Sequence, residues 1–288
     1  MFALLRSRIS SSKASALGWP KPGGRRVLAL ASFATLLFAS SAAAAQPPVG
    51  LGTASPFAVL SGAAVTNTGP SVLNGDLGVS PGSAISGFPP GIVNGAVHAT
   101  DGVAGQAKND LVTAYNDAAG RTPATTVSGD LGGRTFTAGV RKSASSMGLT
   151  GALTLDAQGD PNAVFIFQIG SALTTATDSS VKFVNGAQPC NVYWQVGSDA
   201  TLGTRTAFAG TIMALTSISL NDAATVNGRL LARNGAVTLI NNTITRSQCA
   251  AGSGSGRGSG TGSGTGTGTG TGAGTGAGIP GDLTGPFT

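Results

Sequence analysis

The feature that most restricts what this chain can fold into is a short pattern that recurs along it. An apolar residue is followed by a small or polar one, then Gly, then any residue, then a second apolar residue. The copies are Leu73-Asn-Gly-Asp-Leu77, Val93-Asn-Gly-Ala-Val97, Val127-Ser-Gly-Asp-Leu131, Leu149-Thr-Gly-Ala-Leu153, Phe208-Ala-Gly-Thr-Ile212 and Val226-Asn-Gly-Arg-Leu230. Asn-Gly pairs alone would indicate hairpin turns, but a repeat of this kind points to stacked coils, because one coil cannot bury its apolar side by itself. The last two copies lie 18 residues apart, about one coil of a solenoid with three short faces. The earlier spacings of 20, 34 and 22 residues require the solenoid to be interrupted.

A second repeat lies between the copies of the C-terminal half: Ala172-Leu173-Thr174-Thr175, Thr201-Leu202-Gly203-Thr204, Ser219-Leu220-Asn221-Asp222 and Thr238-Leu239-Ile240-Asn241. Its Leu residues are 29, 18 and 19 apart, so the last three are expected to stack on successive coils. Strand side chains alternate in direction. With each Leu turned inward, the outward positions are Ala172 and Thr174, Thr201 and Gly203, Ser219 and Asn221, Thr238 and Ile240. These are mostly small or hydroxyl-bearing, and none is charged.

One segment departs from the β pattern. Across residues 100–120, Val103, Ala107, Leu111 and Tyr115 recur at i, i+4 spacing, with Ala104, Ala114 and Ala118 nearby. Thr100 or Asp101 can cap the start, and Gly120 with Pro123 can stop it. A helix of about five turns with one apolar stripe must lie against something, and a solenoid face is the economical partner.

The chain is poor in reactive groups. All 11 acids are Asp, and there is one His, His98, and two Cys, Cys190 and Cys249. One His cannot build a multi-His metal site, no HExxH or CxxC spacing occurs, and no nucleophile motif lies near His98. Asp156 and Asp160, beside Gly159 and Pro161, read as turn formers. The reading is a non-enzyme without cofactor or metal.

Both ends read as something other than fold. Residues 1–45 carry Arg6, Arg8, Lys13, Lys21, Arg25 and Arg26 without an acid, then an apolar run over 27–38, then Ser40-Ser41-Ala42-Ala43-Ala44-Ala45. That is the order of a secretory leader cleaved after Ala45. A membrane anchor is the alternative, although the second half of the 27–45 run is Ala and Ser. Removing six cations from the 17 Lys+Arg leaves 11 against 11 Asp, which withdraws the main support for a nucleic-acid partner. In an exported chain Cys190 and Cys249 are expected to pair, closing a loop of roughly 60 residues for about 4 kcal/mol in the loop-entropy model. Residues 250–288 open with Gly-Ser and Gly-Thr alternation, the composition of a flexible tether. One domain, 46–249, remains between them.

Several stretches resemble the microbial ice-binding family. They are Leu51-Gly-Thr-Ala-Ser-Pro-Phe-Ala-Val-Leu60-Ser-Gly, Val65-Thr-Asn-Thr-Gly-Pro70, Leu73-Asn-Gly-Asp-Leu-Gly-Val-Ser-Pro-Gly82 and Gly87-Phe-Pro-Pro-Gly91. Further along come Val164-Phe-Ile-Phe-Gln168, Val192-Tyr-Trp-Gln-Val-Gly-Ser198 and Asn227-Gly-Arg-Leu-Leu-Ala-Arg-Asn-Gly-Ala236. The resemblance spans roughly residues 50–245, in order. It implies a mainly β fold: a discontinuous right-handed β-solenoid of triangular section with one long helix alongside. It also implies a secreted protein that binds ice through one flat face carrying a Thr-x-x-Thr/Asn-like motif. That motif maps onto the Leu-centred segments and marks Thr174, Thr201, Gly203, Thr204, Ser219, Asn221, Thr238 and Asn241 as the ice-binding set. Arg205 and Asp222 border this surface.

The expected partner is the ice crystal surface, with no nucleic acid and no small-molecule substrate, and the chain is expected to act as a monomer. A different class of function, an extracellular adhesin or surface-structural module on the same fold, would suit the Gly-Thr tether.

Overall fold

The computed structural model describes residues 45–249. The leader expected over 1–45 and the tether expected over 250–288 lie outside these residues, apart from Ala45. Within them the chain forms parallel strands wound into coils, and the pairing sorts the strands onto three faces.

The first face is buried on both sides along its central strands. It stacks Ala124–Thr126, Gly139–Ser143, Phe165–Ile169, Val192–Val196, the second halves of Ala207–Ala214 and Thr225–Ala232, then Phe57–Ser61, Asp76–Val79 and Val97–Ala99. Its central strands are apolar without alternation: FAVLS, FIFQI and VYWQV are buried at every position. A continuous apolar run is what two covered sides require. Inward it meets the solenoid core, where Phe167 stacks on Trp194 with centroids 4.1 Å apart. Outward it meets the helix α1, Gly102–Gly120.

Helix α1 begins where Asp101 accepts the Ala104 N–H at 2.8 Å, the capping bond that the sequence offered. Its buried side is Ala104, Ala107, Lys108, Leu111, Ala114, Tyr115 and Ala118. Val103, read from the spacing as part of the apolar stripe, is instead 49% exposed. The stripe starts one residue later because the small Ala104 faces the sheet. Two polar anchors fasten the helix. Tyr115 Oη donates to the Val196 carbonyl at 3.1 Å, and Lys108 Nζ donates to the carbonyls of Ala232 and Arg233 at 2.5 and 2.6 Å. Burial holds the Lys108 amine down at about 8, with the Arg233 charge adding to the effect.

The stacking order does not follow the sequence. The coils of residues 57–99 sit on the coil formed last, with Val59 and Leu60 opposite Leu230 and Leu231. The chain then returns along α1 and begins again at Ala124. This is the interruption that the uneven repeat spacing demanded, and the solenoid is discontinuous. The Gly-centred copies also fall at different corners. Those at 73–77, 93–97, 208–212 and 226–230 turn the chain onto the helix-covered face, whereas the copies at 127–131 and 149–153 serve other corners. At the shared corner Gly228 lies against the backbone of Gly210, and a side chain at either position would collide with the neighbouring coil.

Two segments brace the last coils. Arg229 donates to the Ser55 carbonyl at 2.9 Å and to the Ser247 carbonyl at 3.1 Å, joining the segments before the first strand and after the last. Beyond Ser247, Cys249 is disulfide-bonded to Cys190, with 5.3 Å between their Cα atoms.

Candidate functional site

The second face is one unbroken eight-stranded sheet: Gly129–Asp130, Met147–Leu149, Leu173–Thr175, Ala200–Leu202, Ile218–Leu220, Val237–Ile240, Ala64–Thr68 and Ala84–Ser86. Its burial alternates, and one column of outward residues runs along the sheet. Gly148 lies opposite Thr174, Thr174 opposite Thr201, Thr201 opposite Ser219, Ser219 opposite Thr238, Thr238 opposite Thr66, and Thr66 opposite Ser86. Parallel strands repeat at about 4.8 Å, so these seven positions span about 29 Å. Thr174, Thr66 and Ser86 are exposed, and Thr201, Ser219 and Thr238 are half-buried by their neighbours. We refer to this surface as the threonine face.

Of the residues that the sequence marked, Thr174, Thr201, Ser219 and Thr238 therefore share the column. Leu202 and Leu220 stack beneath it in register. The first Leu-centred segment is displaced. Leu173 pairs with Ala200, two positions from Leu202, because the chain between these strands is longer. Thr175 takes the buried place and is satisfied there: its Oγ1 accepts the Gly203 N–H at 2.8 Å and lies 2.9 Å from Thr206 Oγ1.

Gly203, expected to face outward, is buried. A Cβ there would meet Ala176 and the Thr175 carbonyl at 2.6 Å, so the glycine permits two coils to approach and offers no surface. Thr204, Asn221 and Asn241 lie at the turn that ends each strand rather than in the column. Asn221 and Asn241 are exposed and Thr204 is half-buried.

That turn forms a ladder of its own. Asp178, Arg205, Ala223 and Asn241 all adopt positive φ, between 53° and 59°. Each donates its N–H to the next coil, to the carbonyls of Thr204, Asp222, Ile240 and Thr68 respectively. Left-handed backbone at four non-glycine positions costs energy at each. The interstrand bonds offset that cost and bring the five strands from Leu173–Thr175 to Ala64–Thr68 to an end at one level. Charge at this edge is compensated. Arg205 forms a two-pronged bond to Asp178 at 2.8 Å, which holds that carboxyl below the usual range. Asn241 Nδ2 donates to Asp222 at 3.1 Å. Asp130 ends the column on the outermost strand, where it accepts the N–H groups of Gly132 and Thr150.

Sequence reasoning missed Thr66, Thr68 and Ser86. In their first strand the inward position opposite Leu239 is Asn67, not Leu. Asn67 is buried and donates to the carbonyls of Gly69 and Gly87, both at 2.8 Å. A search keyed on Leu passes over this coil, although the Thr-x-Thr spacing of Thr66 and Thr68 was visible.

The third face stacks Thr135–Thr137, Ala152–Asp156, Ser180–Val184, the first halves of Ala207–Ala214 and Thr225–Ala232, then Thr243–Thr245, Val72–Asn74 and Ile92–Asn94. Its outer half carries an amide ladder: Asn94 donates to Asn74 at 2.8 Å and Asn74 to Thr245 at 3.0 Å. This asparagine face is not continuous. Ser180–Val184 and Ala207–Ala214 share only the pair Ser180 with Ala207, and a cleft opens beyond it. Among the described residues no group of three or more His, Cys, Asp or Glu could hold a metal ion.

Comparison with known proteins gives one consistent result. The model of the family described as ice-binding-like matches residues 59–245. An ice-binding protein from Nostoc sp. (strain HG1) is 53% identical over 223 residues, covering 77% of this chain and 81% of that protein. One from Colwellia sp is 37% identical over 225 residues, covering 72% and 88%. Among solved structures, an ice-binding protein from an Antarctic biological consortium superposes with a TM-score of 0.71 at 51% identity, covering 72% of this chain and 94% of that one. The ice-binding protein of the Antarctic ascomycete Antarctomyces psychrotrophicus gives 0.68 at 42%, covering 70% and 99%.

Proposed function

The chain belongs to the ice-binding-like family, and on that premise we propose that it adsorbs to ice through the threonine face and restrains growth or recrystallisation of the crystal. One observation carries the choice of face: the outward column Thr174, Thr201, Ser219, Thr238, Thr66 runs in register across consecutive strands without a break. Strands about 4.8 Å apart, with outward side chains every ~6.6–6.8 Å along each, make a two-dimensional grid. Short β-branched side chains lose little rotamer freedom on such a grid. Their methyls and hydroxyls can hold ordered water without the strong hydration that a charge imposes.

The protein is read as exported and as acting alone, without chemistry. The leader composition of residues 1–45 and the Cys190–Cys249 disulfide support export.

The test is direct. The purified protein should show thermal hysteresis or recrystallisation inhibition, and Thr201→Tyr with Thr238→Tyr should abolish it while the circular dichroism stays unchanged. A well-folded protein inactive in both assays would leave the adhesin reading in its place. Full activity in the double variant would move the ice surface to another face.

A further inference from the structure

Where α1 ends, the face beneath it turns polar. Lys142, Gln168 and Gln195 lie in register on the consecutive strands Gly139–Ser143, Phe165–Ile169 and Val192–Val196. A cavity of about 240 Å³ opens at these three side chains, with Ala119 and Ser143 also in its lining. Gln168 is 3% exposed and Gln195 8%. Chemistry fixes which way each amide points. Gln168 Nε2 donates to the carbonyls of Ala118 and Arg121, both at 2.9 Å, and a carbonyl oxygen can only accept, so the nitrogen must lie on that side. Gln195 Nε2 donates to Tyr115 Oη at 2.7 Å, and the Tyr115 hydrogen is already spent on the Val196 carbonyl, so Oη must accept. Both Oε1 atoms are thereby turned away from the helix, and neither accepts a hydrogen bond among the described residues. Nor are they sealed in the packing, since the fully buried side-chain atoms without a partner are Asn67 Oδ1, Thr211 Oγ1 and Arg233 Nε. The two amide oxygens face the cavity.

We propose that this cavity binds a small neutral polyol of monosaccharide size. An amide oxygen withdrawn from bulk water is costly to leave without a donor, and here two of them sit on neighbouring strands about 4.8 Å apart. Charge selects a neutral ligand. An anion would meet both amide oxygens, and a cation would meet the Lys142 ammonium, which has no ion-pair partner among the described residues. A hydroxyl suits both kinds of group, because it donates to Oε1 and accepts from Lys142 Nζ or from the second N–H of Gln195. Size agrees: the cavity equals about eight water molecules at ~30 Å³ each, room for one small sugar ring. The amides are already held by the end of α1, so little side-chain freedom is lost on binding. The site lies on the helix-covered face, and the proposal is independent of which face meets ice.

The experiment titrates glucose into the isotope-labelled protein and follows the side-chain amide resonances of Gln168 and Gln195 by NMR. The expected result is a saturable shift of both, and its loss in Ala119→Phe, which fills the cavity from an exposed helix position while the rest of the spectrum stays that of the folded protein. Shifts that grow without saturating, that spread over the surface or that survive Ala119→Phe would overturn the proposal. So would the absence of any response, the cavity then holding water alone. A response to ammonium chloride or to sodium acetate but not to glucose would also overturn it, and would make the cavity a cation or an anion site.

Discussion

The threonine face and the asparagine face meet at one corner, enclose one core and draw on similar residues: Thr, Ser and Asn turned outward in columns. Eight strands of the first stay bonded from edge to edge. The second parts after the Ser180–Ala207 pair and exposes an apolar floor. Composition therefore does not distinguish a lattice-like surface from an ordinary solenoid exterior. What distinguishes them is whether each coil ends at the same level as the next. On the threonine face the left-handed turns at Asp178, Arg205, Ala223 and Asn241 enforce that.

The largest effect expected is on the threonine face itself. Thr201→Tyr should abolish restraint of ice growth, whereas Thr225→Tyr on the asparagine face should leave it intact, as measured by thermal hysteresis on proteins of equal melting temperature. Equal losses would mean that the two faces act together. The core behind the broken face comes next. Trp194 stacks on Phe167, lies tilted against Phe208 and donates to the Ala209 carbonyl at 3.0 Å. Trp194→Ala should cost about 3–5 kcal/mol in urea denaturation.

Replacing both cysteines, Cys190→Ser with Cys249→Ser, should cost about 2–4 kcal/mol. Because the disulfide lies off the threonine face, ice activity below the melting transition should persist. The smallest effect is one of pH. The Lys108 amine sits at about 8 in the fold against 10.5 when free, so between those values the unfolded chain binds more protons. Stability should therefore rise as pH rises from 8 towards 10, and Lys108→Met should flatten that slope.

Much of this arrangement could be read from the sequence. The interrupted solenoid followed from uneven Gly-centred spacing, and the capped helix from Asp101 and its apolar stripe. The inward Leu202 and Leu220 placed Thr201 and Ser219 on one column. The remainder depended on exceptions to the repeat. Thr175 and Asn67 occupy buried places where neighbouring coils have Leu, so the coils they belong to were displaced or missed. Gly203 looks like an outward small residue until the neighbouring coil is in place, when it becomes the point where two backbones nearly touch. A one-dimensional pattern reports the residue that usually fills a place, and these positions are filled by hydrogen bonding instead.

The out-of-order stacking fixes the breadth of the threonine face. In a solenoid that winds from one end to the other, duplicating the last coil simply lengthens it. Here the coil that ends near Thr245 is already roofed by the coils of residues 57–99. Any coil gained or lost separates or overlaps the two blocks that α1 must connect. Each coil adds about 4.8 Å and each helical residue about 1.5 Å, so every added coil demands about three more residues of helix. Helix α1 is in this sense a ruler, and the breadth of the threonine face is written in its length.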